Sequence, residues 1–133
     1  MRVVIYSLLL IGIFAVWLLF VPRFATRPPP APQTGALTQI NVFKTAMDAL
    51  RQDIGRFPSG TNGLVELLKQ PADATNWHGP YLGSADGVPN DPWGRPFIYE
   101  CPGKHNTNAY DLFSVGPDGR AGTGDDLTNW QNR

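Results

Sequence analysis

The sequence predicts an α+β domain: one long helix, one short helix and a small antiparallel sheet closed by a glycine- and aspartate-rich loop, all behind a transmembrane anchor. Three observations carry this. Apolar residues recur at helical spacing across residues 40–54, they alternate at strand spacing across 97–100 and 110–114, and an uncharged apolar run fills residues 3–21. The 133 residues give room for one domain and an appendage. Eleven basic residues balance 11 acidic ones, which is no footprint for a nucleic acid. Cys101 is the only cysteine, so an internal disulfide and a multi-cysteine zinc site are both excluded.

The run "VVIYSLLLIGIFAVWLLFV" carries no charge and would span about 28 Å as a helix, close to the roughly 30 Å hydrocarbon core. Cleaved signal peptides have shorter apolar regions ending at small residues, and "RFA" at residues 23–25 places Arg where a small residue is wanted. Residues 1–26 are therefore expected to be an uncleaved anchor. "RPPPAPQTG", residues 27–35, reads as a proline-rich linker in extended polyproline II, because proline lacks the N–H that a helix interior needs. The globular domain is expected over residues 36–133.

Within it, Ile40, Phe43, Met47, Leu50 and Ile54 fall three, four, three and four apart, on one helical face. Thr34 or Thr38 is a candidate cap at the start, and Gly55 ends the helix before Pro58. A shorter helix is expected from about Asn62 to Lys69, with Leu64, Val65, Leu67 and Leu68, stopped by Pro71. A hairpin follows. Phe97 and Tyr99 alternate with Ile98 and Glu100, then Tyr110, Leu112 and Ser114 alternate with Asp111 and Phe113. Pro96 suits the first residue of a strand.

The closing stretch "SVGPDGRAGTGDD", residues 114–126, has poor helix propensity and little to bury. Asp118, Asp125 and Asp126 fall within it, beside Ser114 and Thr123, and Gly116, Gly119, Gly122 and Gly124 let its carbonyls turn toward one point. Calcium takes six to eight such oxygens. The stretch lacks the order of an EF-hand loop, and one "GTGDD" cannot stack as a repeated nonapeptide does. Residue chemistry leaves two readings, a calcium loop and a solvated loop whose aspartates are turn residues.

"FP" at 57–58, "GL" at 63–64, "DPWG" at 91–94, "DLFSVGPDG" at 111–119 and "GDDLTNW" at 124–130 together narrow the choice. In this order they resemble the periplasmic domain of the major pseudopilin of type II secretion systems, over roughly residues 37–130. The resemblance implies a pilin-like domain with bound Ca2+. By motif position, Asp118 and Asp125 would be side-chain ligands with Asp126 a third, the carbonyls of Val115 and Arg120 would contribute, and Thr123 would supply a further oxygen. It also implies that Trp93 packs beneath the sheet and that Gly94 makes a turn.

The N-terminus departs from the family pattern. A pseudopilin has a Gly at its cleavage point and a Glu at the fifth mature position; here the only Gly of the apolar run is Gly12, the fifth residue after it is Trp17, and the run holds no Glu. Two functions follow from these readings. The first is a structural calcium-binding subunit of a type II secretion system, single-pass in the inner membrane with its domain in the periplasm. It would act by contacts with other pseudopilin-like subunits, inner-membrane secretion components or further copies of itself. The alternative is a membrane-tethered calcium-dependent binding module that does not polymerise. An enzyme is not expected: His78 and His105 read as solvated loop residues, Cys101 as a small, partly buried one, and no base–nucleophile pair with an orienting group can be assembled.

Overall fold

A computed structural model describes residues 31–60 and 62–130. The expected anchor at 1–26 and the first part of the expected linker lie outside these residues. Among the described residues no helix is long and apolar enough to cross a membrane.

Helix α1 runs Pro32–Ile54 and so takes in the last four residues assigned above to the linker. Proline is tolerated at the first helical position, where its missing N–H has no intrahelical acceptor in any case and its φ is already helical. Ala31 is the N-cap, without a side-chain cap bond, and Gly35 N–H reaches its carbonyl at 3.0 Å. Neither threonine caps the helix: Thr38 Oγ1 donates to the Thr34 carbonyl one turn back, at 2.8 Å. The C-terminus ends as the sequence predicts, on Gly55 at φ 79°, with its N–H on the Arg51 carbonyl.

Ile40, Phe43, Met47 and Leu50 are buried, joined by Ala36 and Ala46, while Ile54 is half-buried at the edge of the core. Phe43 meets Phe97 edge-to-face with centroids 5.1 Å apart, which joins the helix to the sheet. The short helix expected from about Asn62 to Lys69 is a 3-10 turn over Gly63–Leu67. Leu64 and Leu67 point inward, whereas Val65 faces solvent. The glycine of the "GL" pair has a steric reason: a Cβ on Gly63 would lie 2.6 Å from Tyr99 Cε1 and 2.8 Å from Pro58 Cβ. Tyr99 threads past it to donate its hydroxyl to the Pro58 carbonyl at 2.7 Å.

The sheet has three antiparallel strands in the order β1–β2–β3: β1 Ile98–Glu100, β2 Asp111–Ser114 and β3 Leu127–Thr128. In β1, Tyr99 pairs with Leu112 of β2 and Glu100 with Asp111; Ser114 pairs with Leu127 of β3. Two departures from expectation matter for function. Strand β1 starts two residues beyond Pro96, and Asp111 is buried at 3% exposure although strand alternation would turn it outward. The third strand is only two residues long, too short to register as a period. Its pairing makes residues 115–126 the connection of a second hairpin.

Candidate functional site

Two anchors fix the ends of the 115–126 loop. The first is the "DPWGR" turn. Asp91 is buried, and its Oδ1 accepts from the N–H groups of Trp93 (3.0 Å) and Arg95 (2.8 Å), an aspartate turn that holds Gly94 at φ 82°. Its Oδ2 accepts from the fully buried Ser114 hydroxyl at 2.6 Å, and that oxygen in turn accepts the Gly116 N–H at 3.2 Å. Arg95 reaches across to the same residue and donates Nη1 to the Gly116 carbonyl at 2.6 Å and Nη2 to the Pro117 carbonyl at 3.4 Å. The resemblance pointed to Trp93 as the packing residue of this motif. Trp93 is instead half-buried and outside the hydrophobic core, and the Asp91 carboxylate ties the turn down.

The second anchor is "LTNW". Asn129 continues the strand pairing with its side chain: its N–H donates to the Leu112 carbonyl, its Oδ1 accepts Leu112 N–H at 2.9 Å, and its Nδ2 donates to Tyr110 O at 3.0 Å. Trp130 stacks on His105, centroids 4.2 Å apart and planes within 6°. His105 is therefore not merely solvated; its ring Nδ1 also lies 3.0 Å from Asp111 Oδ2. Asp111 accepts the backbone N–H groups of His105 and Asn106 as well, at 2.8 and 2.9 Å. Burial pushes its pKa up, yet these donors together outweigh that and hold it below the usual carboxylate range.

Between the anchors the loop bonds mostly to itself. Asp118 N–H donates to Asp125 Oδ2 at 3.1 Å, Arg120 N–H to Asp118 Oδ1 at 2.8 Å and Gly122 N–H to Asp126 Oδ2 at 2.7 Å. Thr123 Oγ1 contacts both the Arg120 carbonyl at 3.1 Å and Asp125 Oδ1. The Thr123 hydroxyl and the Asp118 N–H, in that order, hold the Asp125 pKa below its ordinary value. Gly116 lies at φ 63° with Asp125 O only 2.4 Å from where a Cβ would be, so the two ends of the loop touch there.

Of the sequence-predicted ligands, Asp118, Arg120, Thr123 and Asp125 are thus linked directly. Val115 is buried at the loop entrance. Asp126 Oδ2 accepts from Gly122 N–H and its own N–H donates to the Thr123 carbonyl at 3.4 Å, while its Oδ1 is buried with no hydrogen-bond partner among the described residues. The three carboxylates do not converge as one cluster: among the described residues no group of three or more His, Cys, Asp or Glu side chains could hold a metal ion. Any cation here would have to take hydroxyl and carbonyl oxygens along with carboxylates. That donor set is all oxygen, as calcium prefers, and an orphaned buried carboxylate oxygen is costly unless a cation or donor meets it. The residues fit calcium in chemistry.

Sequence reasoning missed Arg95, Ser114 as a buried relay, and Asp111 with His105. The alternation of polar and apolar residues in β2 conceals the two buried polar groups, and no local pattern announces Arg95.

A helix packed on a small three-stranded sheet, with an oxygen-rich hairpin loop held at both ends, defines a pilin-like domain. The chain belongs to the family described as "Type II secretion system (T2SS), protein G", whose profile matches residues 23–130. It is 35% identical over 126 residues to the type II secretion system core protein G of Escherichia coli K12, covering 92% of this chain and 83% of that one. The protein of the same name from Pseudomonas aeruginosa is 36% identical over 129 residues, covering 92% and 87%; that of Vibrio cholerae is 31% identical over 130 residues, covering 96% and 86%. The crystal structure of the major pseudopilin from the type 2 secretion system of enterohaemorrhagic E. coli superposes with a TM-score of 0.63 at 29% identity, over 83% of this chain and 96% of that one. The protein is a structural pseudopilin-type subunit of a type II secretion system and not an enzyme.

Proposed function

We propose that this subunit binds Ca2+ in the 115–126 loop and works by protein–protein contacts in the periplasm, held at the inner membrane by its N-terminal segment. The observation that carries the calcium reading is the buried, partnerless Asp126 Oδ1 inside a loop whose other groups are carboxylate, hydroxyl and carbonyl oxygens. Asp118, Asp125 and Asp126 would hold the ion with Thr123 and the carbonyls of Val115 and Arg120. Bound there, the ion would neutralise carboxylates that otherwise repel one another. Arg120 N–H and Gly122 N–H already orient two of these carboxylates, on Asp118 and Asp126.

Assembly with other pseudopilin-like subunits, inner-membrane secretion components or further copies of this chain is supported by the family match, which favours it over a module that never polymerises. That alternative drew on the missing Glu and on a proline spacer over residues 27–35, of which the last four belong to α1.

The test is thermal unfolding of the full chain in detergent micelles with millimolar calcium, magnesium or EDTA. A ligand at a thousandfold excess over its Kd adds about 4 kcal/mol, and each kcal/mol moves the midpoint of a domain this size by roughly 4–8 °C. Calcium should raise the midpoint well above magnesium and EDTA, and Asp125→Ala should abolish the difference. Superimposable melts in all three solutions would make the aspartates turn residues only.

A further inference from the structure

We propose that Arg95 is a positioning residue for the loop: it holds the entrance half closed without metal, and so sets how tightly the remaining half takes calcium. This rests on the calcium reading above. The geometry divides the loop in two. At Gly116 both backbone groups are already engaged by the 91–95 turn, the N–H through Ser114 to Asp91 and the C=O by Arg95 itself. Arg95 is in turn fixed at its own backbone, its N–H on Asp91 Oδ1 at 2.8 Å and its carbonyl on Asp91 N–H at 2.7 Å. The result is a closed ring of Asp91, Ser114, Gly116 and Arg95 with three buried members, Asp91, Ser114 and Gly116.

The guanidinium acts through its face as well as its edge. A Cβ built on Gly119 would lie 2.9 Å from Arg95 Cζ, 2.9 Å from Nη2 and 3.0 Å from Nε. Near-equal distances to those three atoms place it above the guanidinium plane, so the Gly119 backbone lies on the flat of the group while the edge bonds Gly116 and Pro117. Glycine at 119 is favoured by its φ of 72°, and a Cβ there would displace the guanidinium. A lysine could supply the charge but neither the second donor nor the flat face.

The three carboxylates have no such tie. The carboxylates of Asp118, Asp125 and Asp126 accept only from the 118–123 segment, which is itself largely exposed. The Gly116 carbonyl is occupied by a charged donor and so is not among the oxygens left for the metal. When only a fraction of molecules is competent to bind, apparent affinity falls by that fraction. By holding Gly116 to Gly119 in the closed form, Arg95 keeps that fraction high.

The experiment uses the full chain in micelles, with amide exchange followed residue by residue in EDTA and in calcium, and a calcium titration. The variants are Arg95→Met, which keeps the aliphatic stem, and Arg95→Lys, which keeps the charge. In the unmodified chain with EDTA, the Gly116 amide should exchange slowly while the Arg120 and Gly122 amides exchange fast and slow down on adding calcium. Arg95→Met should speed Gly116 exchange and weaken calcium binding by about tenfold, with the Leu112 amide unchanged as a control for global unfolding. Arg95→Lys should fall between the two, and it carries the test if the Met variant does not fold. Equal calcium affinity in the unmodified chain and the variants, or Gly116 exchange in EDTA as fast as that of Gly122, overturns the role of Arg95. A chain that binds no calcium at all, with Gly116 still protected, overturns the calcium reading and the affinity role together, and leaves only the clamp.

Discussion

Asp111 shows how one residue can contradict its strand and stabilise the fold. It sits on β2 where alternation would expose it, yet it is buried against Gly103, whose Cβ would stand 2.5 Å from Asp111 Oδ1. Its pKa is lowered because the donors from His105 and Asn106 outweigh the burial that opposes ionisation. A carboxylate with a depressed folded-state pKa contributes stability that is present above its unfolded pKa and is lost as pH falls through the folded value. The melting midpoint should therefore decline below about pH 4, and Asp111→Asn should flatten that decline. At pH 7 the same substitution should cost about 1–3 kcal/mol, since an amide replaces a charged acceptor serving two N–H groups. Thermal melts of both proteins across pH 2.5–7 check this, and parallel pH curves would count against it. Gly116 is a second such residue. Gly116→Ala should destabilise the domain in calcium and in EDTA alike, because the Cβ meets the Asp125 carbonyl at a φ of 63° whether or not a metal is bound.

At the level of elements, α1 is the part whose energy is easiest to place. Phe43 is fully buried, and its ring edge meets Phe97. Phe43→Ala should cost about 3–5 kcal/mol, the lost transfer energy plus a cavity. Urea unfolding would show this as a lower midpoint at an unchanged slope. Strand β3 behaves differently. Two paired residues cannot hold a strand, and the Asn129 side chain supplies the missing bonds to Leu112 and Tyr110. Asn129→Ala should therefore cost about 1–3 kcal/mol, a large effect for a half-buried surface asparagine, because it leaves the Leu112 N–H without its side-chain partner. If β3 is secured chiefly by its own backbone pairing, the loss will instead stay within the roughly 0.5 kcal/mol of an ordinary surface change.

Across the whole molecule, the apolar side chains that α1 leaves exposed test whether assembly uses this helix. One face is the core; Leu37 and Val42, five residues apart and so on opposite flanks of that buried stripe, are 44% and 45% exposed. Changing both to Ser should leave the melting midpoint nearly unmoved, since neither residue is buried in the monomer. A subunit that works by contacts along this helix should nonetheless lose cross-linking to its neighbours in cells that secrete through the system. Unimpaired cross-linking would move the contact surface elsewhere on the domain.

The sequence alone determined what short-range periodicity and a few punctuating residues can express. The α1 stripe, its stop at Gly55 and the two strands of the first hairpin follow from spacing and local propensity, and the ordered motifs from "FP" to "GDDLTNW" carried the family. The start of α1 was missed by four residues, because proline opposes a helix in its interior and suits one at its first position, and composition does not say which applies. The short helix is a 3-10 turn whose first residue, Gly63, lies close against Tyr99, a residue far along the chain that local pattern does not relate to it. Only tertiary structure could decide the rest. The Asp91–Ser114–Gly116–Arg95 ring, the Asp111–His105–Trp130 contacts and the side-chain extension of β3 by Asn129 each join residues that no periodicity relates. Buried polar groups find their partners wherever the packed chain brings a donor to an acceptor, and that is settled by the fold as a whole and not by neighbours in sequence.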